Sequence, residues 1–211
     1  EIKNPLTPIQ LSIDRLQEKF YEKITGSKDE FKNYLTTINR QIKDIESLVN
    51  EFSSFARMPR PVFKKIELSL VVNRAVDFYK MSSLNNITFK LPRKKLTLKG
   101  DEEQLYRVFL NLIKNSEESI REKRDKNIDF IGKISLDIED NNEYITVIII
   151  DNGAGIKDIS QIMTPYFTTK KDGTGLGLPI VSKIINEHSG DIVIKNNNPG
   201  VKILIKLPKT K

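Results

Sequence analysis

The chain has 211 residues, of which 38% are hydrophobic and 30% charged, enough for one large domain or two small ones. It has no cysteine, which excludes disulfides and thiolate zinc sites, and no apolar run near the roughly 20 residues that span a bilayer. Its net charge is +7, but acidic residues are interleaved with basic ones and no arginine–aromatic ladder is present, so we expect no nucleic-acid binding.

Residues 1–56 carry apolar side chains at spacings of three and four, the heptad pattern of helices that pack at shallow angles. Two such seams, at 6–20 and 31–52, flank a polar stretch at 25–29, which predicts a helical hairpin. Each helix has one apolar seam, and a single hairpin offers little surface against which to bury the two seams. We therefore expect two copies to pair as a four-helix bundle, although packing on the rest of the same chain would also cover the seams.

Residues 57–66 form a basic stretch without periodicity that contains Pro59 and Pro61. Because proline donates no hydrogen bond and disfavours helix before it, we expect a linker here. Residues 67–211 mix helical and strand patterns, which predicts a two-layer α+β sandwich with a largely antiparallel sheet. Helices are predicted at 70–81, 101–121 and 176–188, and strands at 87–91, 96–99, 131–139, 144–151, 191–195 and 201–207.

The first candidate site follows an apolar predicted strand, where the chain reads Asp151-Asn152-Gly153-Ala154-Gly155. A carboxylate at the end of a buried strand can accept a hydrogen bond from an exocyclic amine. The glycines let the backbone approach a flat ring closely. A plain tight turn uses the same residues, so the pattern alone leaves both interpretations open.

A second glycine-rich stretch, Gly173-Thr174-Gly175-Leu176-Gly177, leads into a predicted helix. Free amides and the dipole at a helix amino end favour phosphate, although an ordinary loop is also compatible. No βαβ unit surrounds the stretch, which argues against a dinucleotide fingerprint. The long loop before it, 156–172, is a candidate lid, and its Lys170 and Lys171 are either phosphate contacts or a solvated basic pair.

Asn111 and Asn115 lie four residues apart and therefore share one face of the predicted helix at 101–121. Their amide oxygens are hard ligands of the kind that Mg²⁺ accepts together with several waters. A pair of polar surface residues would show the same spacing. Asn111, however, stands between Leu110 and Leu112, where a buried amide needs partners.

The order of these features is more specific than any one of them. An Asn-x-x-x-Asn helix, a DxGxG turn, an aromatic loop at 164–171 and a GxGxG turn follow one another, and together they resemble the ATP-binding domain of the GHKL group. The resemblance implies that Asn115 is the main magnesium ligand and Asn111 its companion. It also implies that Asp151 recognises adenine beside Gly153 and Gly155. The loop from Gly173 to Gly177, with Thr174, Gly175 and Leu176, is then expected to wrap the phosphates of ATP.

The GHKL group also includes gyrase-like, Hsp90-like and mismatch-repair ATPases. Those enzymes carry a glutamate that activates water four residues before the magnesium asparagine, and Asn111 occupies that position here. The resemblance therefore implies phosphoryl transfer to a protein side chain rather than hydrolysis of ATP.

The first residues, Glu1-Ile2-Lys3-Asn4-Pro5-Leu6-Thr7, resemble the H box of sensor histidine kinases at every position after its histidine. The resemblance implies that Glu1 is a general base for that histidine and that Asn4 positions water for dephosphorylation of a partner. The asparagine-containing stretch at 111–119 and the aromatic loop are most similar to those of the NtrB/NtrY type of nitrogen-regulation sensor kinases. The resemblance covers essentially the whole chain.

The phosphoacceptor histidine itself is not among the 211 residues. The single histidine, His188, lacks the H-box context, and we interpret it as a helix-end residue that interacts favourably with the helix dipole. We expect the chain to be a piece of a longer protein whose histidine directly precedes Glu1, or whose histidine was lost. In either case autophosphorylation is not expected of this chain.

The resemblance implies a protein-histidine kinase core that uses ATP and Mg²⁺ and forms a homodimer through its hairpin. It also implies transfer of the phosphate to the receiver domain of a response regulator of the NtrC/NtrX kind, with phosphatase activity on it. The expected location is the cytoplasmic portion of a membrane-anchored sensor. An ATP-binding dimerisation module without autokinase activity, and a GHKL hydrolase, remain open as alternatives.

Overall fold

A computed structural model describes most of the chain, namely residues 6–56, 58–170 and 173–209. By its contacts the chain divides into two compact units, Glu1–Met58 with Thr168–Leu176 and Pro59–Phe167 with Gly177–Lys211. The first is called the hairpin unit below and the second the α/β unit. Within the described residues, no helix combines the length and the apolar composition that a membrane span requires.

The hairpin unit contains helix α1 (Leu6–Phe20), a short 3-10 turn (Tyr21–Lys23) and helix α2 (Lys28–Ala56). The backbone N–H of Phe31 donates to the carbonyl of Ser27, which is the first hydrogen bond of α2. The two helices confirm the predicted hairpin, and α2 already begins within the predicted polar stretch at 25–29, so residues 24–27 connect the 3-10 turn to α2.

Only a thin apolar cluster joins the two helices. It consists of Ile13 from α1 and Leu35 and Ile42 from α2, each 5–6% exposed. The side-chain amide of Gln10 also donates to Oδ1 of Asn39 at 2.9 Å. Leu6 and Phe31 are partly buried and pack against this cluster, so few apolar side chains form the contact between the two helices.

The α/β unit contains the remaining ten elements. A five-stranded sheet has the order β2-β4-β5-β7-β6, in which β2 is parallel to β4 and the other neighbours are antiparallel. Strands β1 and β3 form a separate antiparallel pair. The elements are β1 (Lys64–Glu67), α3 (Leu68–Lys80), β2 (Asn86–Phe89), β3 (Thr97–Gly100), α4 (Glu102–Arg124), β4 (Lys133–Asp140), β5 (Tyr144–Asp151), α5 (Gly177–Glu187), β6 (Asp191–Asn196) and β7 (Val201–Pro208).

Helix α4 occupies the middle of the helical layer, since it contacts both α3 and α5 and also packs on β4. Its apolar side chains recur at intervals of three and four and are fully buried. Alternate residues of β5 supply much of the opposing layer. The buried set includes Leu105, Val108, Phe109, Leu112 and Ile113 from α4, and Ile145, Val147 and Ile149 from β5. The predicted two-layer α+β sandwich is thereby confirmed.

The structure differs from the predicted linker at 57–66. Strand β1 begins at Lys64, pairs with β3 and buries Ile66 opposite Leu98, so the end of that segment belongs to a sheet. A strand of four residues is too short for its alternation to be recognised in the sequence. Helix α4 also starts and ends later than predicted, because Asp101 serves as its N-cap and the helix continues to Arg124.

Candidate functional site

Asp151 is the last residue of β5 and lies on the core-facing side of that strand. It shares this side with Ile145, Val147 and Ile149, because successive strand residues alternate between faces. The residue is 4% exposed. The sequence therefore places a carboxylate at the end of a row that is otherwise entirely apolar.

The Asp151 carboxylate has hydrogen-bond donors on both oxygens. The hydroxyl of Ser116 on α4 donates to Oδ2 at 3.1 Å, and the backbone N–H of Gly153 donates to Oδ1 at 2.9 Å. Burial raises the pKa of Asp151, whereas the N–H groups of Gly153 and Val201, the Ser116 hydroxyl and the charge of Lys123 act in the opposite direction. The group is a buried hydrogen-bond acceptor with a prepared polar environment.

The turn after Asp151 is fastened to α4. The backbone N–H of Ala154 lies 3.0 Å from Oγ of Ser119, and the Lys123 ammonium donates to the carbonyls of Asn152 at 2.9 Å and Gly153 at 3.4 Å. A Cβ at position 153 would overlap Ser119, so the turn approaches the helix as closely as only glycine allows. This close approach is the structural requirement for Gly153.

The other side of the turn is held by two asparagines. The Asn152 side chain accepts from the N–H of Lys133 and donates to the carbonyl of Ile131, which ties the turn to the start of β4. Asn196, at the end of β6, exchanges two hydrogen bonds of 2.8 Å with the backbone of Ile156. Between them Gly155 adopts φ +78°, a left-handed conformation that favours glycine.

The predicted metal-binding pair lies on α4. Asn111 and Asn115 are both half-buried. The amide nitrogen of Asn111 donates to the carbonyl of Arg107 at 3.0 Å. A Cβ added to Gly177, the first residue of α5, would lie 3.7 Å from Oδ1 of Asn111. The structure thus brings this amide oxygen to the amino end of α5, where the helix dipole is positive.

Four polar side chains of α4 follow one another at intervals of four residues, namely Asn111, Asn115, Ser119 and Lys123. Residues so spaced form a single ridge along a helix. The first member stands beside the start of α5, and the last two hold the turn after Asp151. The sequence interpretation found the first pair and missed the second, although the same spacing pointed to it. Ser116 and Asn196, which hold Asp151 and Ile156, were missed as well.

The other predicted phosphate contacts that the structure describes are Lys170 and residues 173–176. They belong to the hairpin unit. Between 156 and 170 the chain forms turns without helix or strand, as the predicted long loop requires. Lys170 is exposed, its N–H donates to Oγ1 of Thr168, and Gly175 has φ +70°. The N–H of Leu176, a buried residue, donates to Oγ1 of Thr174 at 3.4 Å. Glu1, Asn4 and Lys171 lie outside the described residues.

His188 follows the last residue of α5 and is 5% exposed. Its Nδ1 lies 2.8 Å from the carbonyl of Ile184, and its Nε2 accepts from the N–H of Asp101 at 2.9 Å. Burial lowers the pKa of His188. The two contacts require the neutral ring with its proton on Nδ1. The predicted helix-end position is confirmed, and the Nδ1 contact with the carbonyl of Ile184 lies at the carboxyl end of α5.

Two known protein families match the chain. Residues 100–211 match the family described as Histidine kinase-, DNA gyrase B-, and HSP90-like ATPase. Residues 1–61 match the family described as His Kinase A (phospho-acceptor) domain. The two matches cover the region of the predicted helical hairpin and the region that carries the asparagine and glycine motifs.

Curated relatives share both regions. An NtrY-like sensor histidine kinase of Rickettsia felis is 40% identical over 200 residues, which is 93% of this chain and 32% of that protein. The nitrogen regulation protein NtrY of Azorhizobium caulinodans is 36% identical over 209 residues, 98% of this chain and 27% of that protein. The chain thus spans about a third of the length of the curated relatives it matches.

Solved structures share the fold. The catalytic domain of histidine kinase ThkA matches 71% of this chain and 97% of its own, with 28% identity and a TM-score of 0.61. ThkA in complex with the response regulator protein TrrA matches the whole chain and 59% of its own, with 25% identity and a TM-score of 0.67. The chain belongs to the histidine kinase family, with a HisKA domain followed by an ATPase domain of the histidine kinase, gyrase B and HSP90 kind, and it is similar to NtrY-like sensor histidine kinases.

Proposed function

We propose that the α/β unit binds ATP, with the Asp151 carboxylate accepting a hydrogen bond from the exocyclic amine of adenine. The environment of that carboxylate carries the proposal. An ionised carboxylate is costly to bury, yet Asp151 is 4% exposed and is supplied with donors from Ser116 and Gly153. Such an arrangement is expected where a charge serves recognition rather than packing.

We propose further that Asn111 and Asn115 hold Mg²⁺ against the phosphates of ATP. The residues fit this ion, because the amide nitrogen of Asn111 is already bonded to Arg107 and its hard oxygen stands beside the amino end of α5. Mg²⁺ takes few protein ligands and completes its octahedron with water and phosphate oxygens. Bound there, the ion supplies charge neutralisation to the phosphates. The predicted roles of Lys170, Lys171 and residues 173–177 at the phosphates are part of the same proposal.

Phosphoryl transfer is a better proposal for this site than hydrolysis. A hydrolytic relative needs a carboxylate four residues before the magnesium asparagine to activate water. This chain has Asn111 at that position, and the amide nitrogen of Asn111 donates a hydrogen bond to the carbonyl of Arg107. An amide does not titrate in the range in which a general base operates. The acceptor we propose is a histidine directly before Glu1, with Glu1 as its base and Asn4 serving dephosphorylation.

Homodimerisation through the hairpin unit is supported by what that unit leaves uncovered. Ile38, Ile45 and Phe52 recur every seven residues along α2 and are 44–45% exposed, while Ile9 and Leu16 on α1 are 46% and 44% exposed. The helix pair therefore buries Leu35 and Ile42 on α2 and leaves Ile38, Ile45 and Phe52 exposed. A second hairpin would cover the exposed positions in a four-helix bundle.

The proposed partner is the receiver domain of a response regulator. Support comes from ThkA, which was solved in complex with the response regulator TrrA and whose fold matches the whole chain. The receiver would accept the phosphate on an aspartate while docked near residues 4–16. His188 is not a candidate donor, because it is 5% exposed and both ring nitrogens have partners. Membrane anchoring of a longer parent protein stays a prediction.

The test is to extend the chain by one histidine before Glu1 and to incubate it with Mg²⁺ and γ-labelled ATP. We expect acid-labile protein label that appears in the extended chain, persists in its His188→Gln variant and is lost in its Asp151→Asn variant. The unextended chain is the matched control and should stay unlabelled.

Calorimetry with MgADP decides the reason for a negative result. Nucleotide binding without label in any extended chain would refute the kinase proposal and favour an ATP-binding dimerisation module. The absence of both nucleotide binding and label would refute the ATP site itself.

A further inference from the structure

Asp101 connects three parts of the α/β unit at one point. It lies between β3 and α4, and its Oδ1 caps α4 by accepting from the N–H of Gln104 at 3.0 Å. Its Oδ2 accepts from the N–H of Val62 at 2.8 Å, and its own N–H donates to Nε2 of His188 at 2.9 Å. The same residue therefore contacts the start of α4, the end of α5 and the segment before β1.

The segment Pro59–Phe63, which we call the strap, is held on the α/β unit by two further contacts. The side-chain amide of Gln104 donates to the carbonyl of Pro59 at 3.0 Å. The ring of Phe63 lies 5.0 Å from the ring of His188, at an interplanar angle of 59°. The strap thus rests on the side chains of Asp101, Gln104 and His188.

His188 can serve this arrangement only as a neutral ring. Its Nδ1 donates to the carbonyl of Ile184, so Nε2 is the lone-pair acceptor for the N–H of Asp101. A proton on Nε2 would set two donors against each other and break that bond. Gly100 lies close to this ring, because a Cβ added there would stand 3.2 Å from Cδ2 of His188.

The two helices joined at this point are the ones that carry the proposed nucleotide site. Helix α4 bears Asn111 and Asn115, and α5 begins at Gly177, where it faces the amide oxygen of Asn111. The Asp101–His188 bond joins the amino end of α4 to the carboxyl end of α5. It therefore restrains the one pair of helices whose relative placement sets the distance from Asn111 to the start of α5.

We propose that His188 is a positioning residue for nucleotide binding, whose neutral ring ties α5 to α4 through Asp101 and holds the strap in place, and whose protonation releases both. The expected effect on nucleotide binding rests on the proposed ATP site, whereas the effect on the strap does not. The strap directly precedes β1, so its release affects the first residues of the α/β unit.

The surrounding charges set the direction of the pH response. Burial lowers the pKa of His188, and the carboxylates of Asp101 and Glu187 oppose that shift, while Phe63 and Gly100 contribute no charge. A folded-state pKa below the unfolded one means that the unfolded chain takes the proton first. The arrangement is therefore complete above the unfolded-state value of about 6.5 and is lost as pH falls through the lower folded-state pKa.

The test follows the amides of Asp101 and Val62 by NMR hydrogen exchange in the full chain, from about pH 8 to about pH 5, corrected for intrinsic exchange. We expect protection of both amides to fall at least about tenfold toward the acidic end in the wild type. His188→Gln keeps a donor and an acceptor but does not titrate, so its protection should remain at every pH. His188→Phe removes both groups and should be unprotected at every pH.

MgADP affinity measured by calorimetry gives the functional readout. We expect it to weaken at least about threefold toward acidic pH in the wild type relative to His188→Gln, which shares every other titrating group including Asp151. Protection that is independent of pH in the wild type would overturn the proposal, and this outcome does not depend on whether His188→Phe folds. Normal amide behaviour with equal pH dependence of MgADP binding in wild type and His188→Gln would overturn the positioning role. If amide protection falls with pH as expected but no MgADP binds, the ATP proposal would be overturned, whereas the role of His188 in holding the strap would be supported.

Discussion

The α/β unit and the hairpin unit bury their apolar side chains to very different depths. In the α/β unit, Phe109, Leu112 and Val147 have no exposed surface. Among the described side chains of α1 and α2 in the hairpin unit, the most buried are Ile13 and Leu35, each 5% exposed, and side chains as large as Phe52 remain 45% exposed. The first unit has a core of its own, whereas the second needs a further surface to complete one. Stability and assembly are therefore expected to respond to different substitutions.

The largest expected effect is on the core of the α/β unit. Phe109→Ala removes a fully buried ring and should lower the free energy of unfolding by about 3–5 kcal/mol, measured by urea denaturation. This loss should be independent of protein concentration. Ile42→Ala in the hairpin is the comparison, and its unfolding midpoint should depend on concentration because folding and pairing are linked there. Concentration-independent unfolding of the hairpin would contradict the contrast.

The next effect separates binding from stability inside the α/β unit. Asp151→Asn should weaken MgADP binding by about 100-fold, because it replaces a charged acceptor of the adenine amine with an amide. Burial raises the pKa of Asp151, so its ionised form costs stability once pH exceeds the folded-state value. The variant should therefore unfold at the same or a higher temperature at neutral pH. Calorimetry and thermal melting measure the two quantities, and a loss of both would indicate a purely structural carboxylate.

A charge on the uncovered seam should break assembly and leave nucleotide binding intact. Ile38→Asp places a carboxylate at an exposed heptad position of α2 and should raise the dimer dissociation constant at least about 30-fold, measured by sedimentation. Thr36→Asp, on a different face of the same helix, is the matched control and should have little effect. Equal dissociation in both variants would argue that the seam is not the interface.

The smallest expected effect concerns the turn after Asp151. Lys123→Met keeps an apolar stem over the Phe130 ring but removes the donors to the Asn152 and Gly153 carbonyls. MgADP affinity should fall about fivefold, since one group with two charge-assisted hydrogen bonds is lost. Lys126→Met, three residues further on and exposed, should leave the affinity unchanged. An unaltered affinity in Lys123→Met would show that Ser119, Asn152 and Asn196 hold the turn without Lys123.

Much of this contrast could be predicted from the sequence, and the physical reasons are clear. Heptad spacing at residues 31–52 requires a helix with one apolar stripe, and the run before Asp151 requires a buried strand with a carboxylate at its end. The order of the asparagine and glycine motifs along the chain then indicated the GHKL group. Local pattern and chain order suffice wherever a feature lies on one element.

Features that depend on contacts across the fold were missed. Asn196 meets Ile156 across 40 residues, and His188 meets Asp101 across 87. Neither pair has a local signature, so the contact of His188 with Asp101 could not be predicted from the helix alone. Strand β1 was missed for the same reason, because only its pairing with β3 stabilises a segment of four residues.

The ridge along α4 has a consequence for how this site tolerates change in length. Its members are set by helix geometry, with about 1.5 Å of rise and 100° of rotation for each residue. Inserting one residue between Asn115 and Ser119 would turn the asparagine pair about 100° away from the side chains that hold the turn. Substitutions along this helix alter one contact at a time, whereas a single insertion or deletion separates the two ends of the site at once.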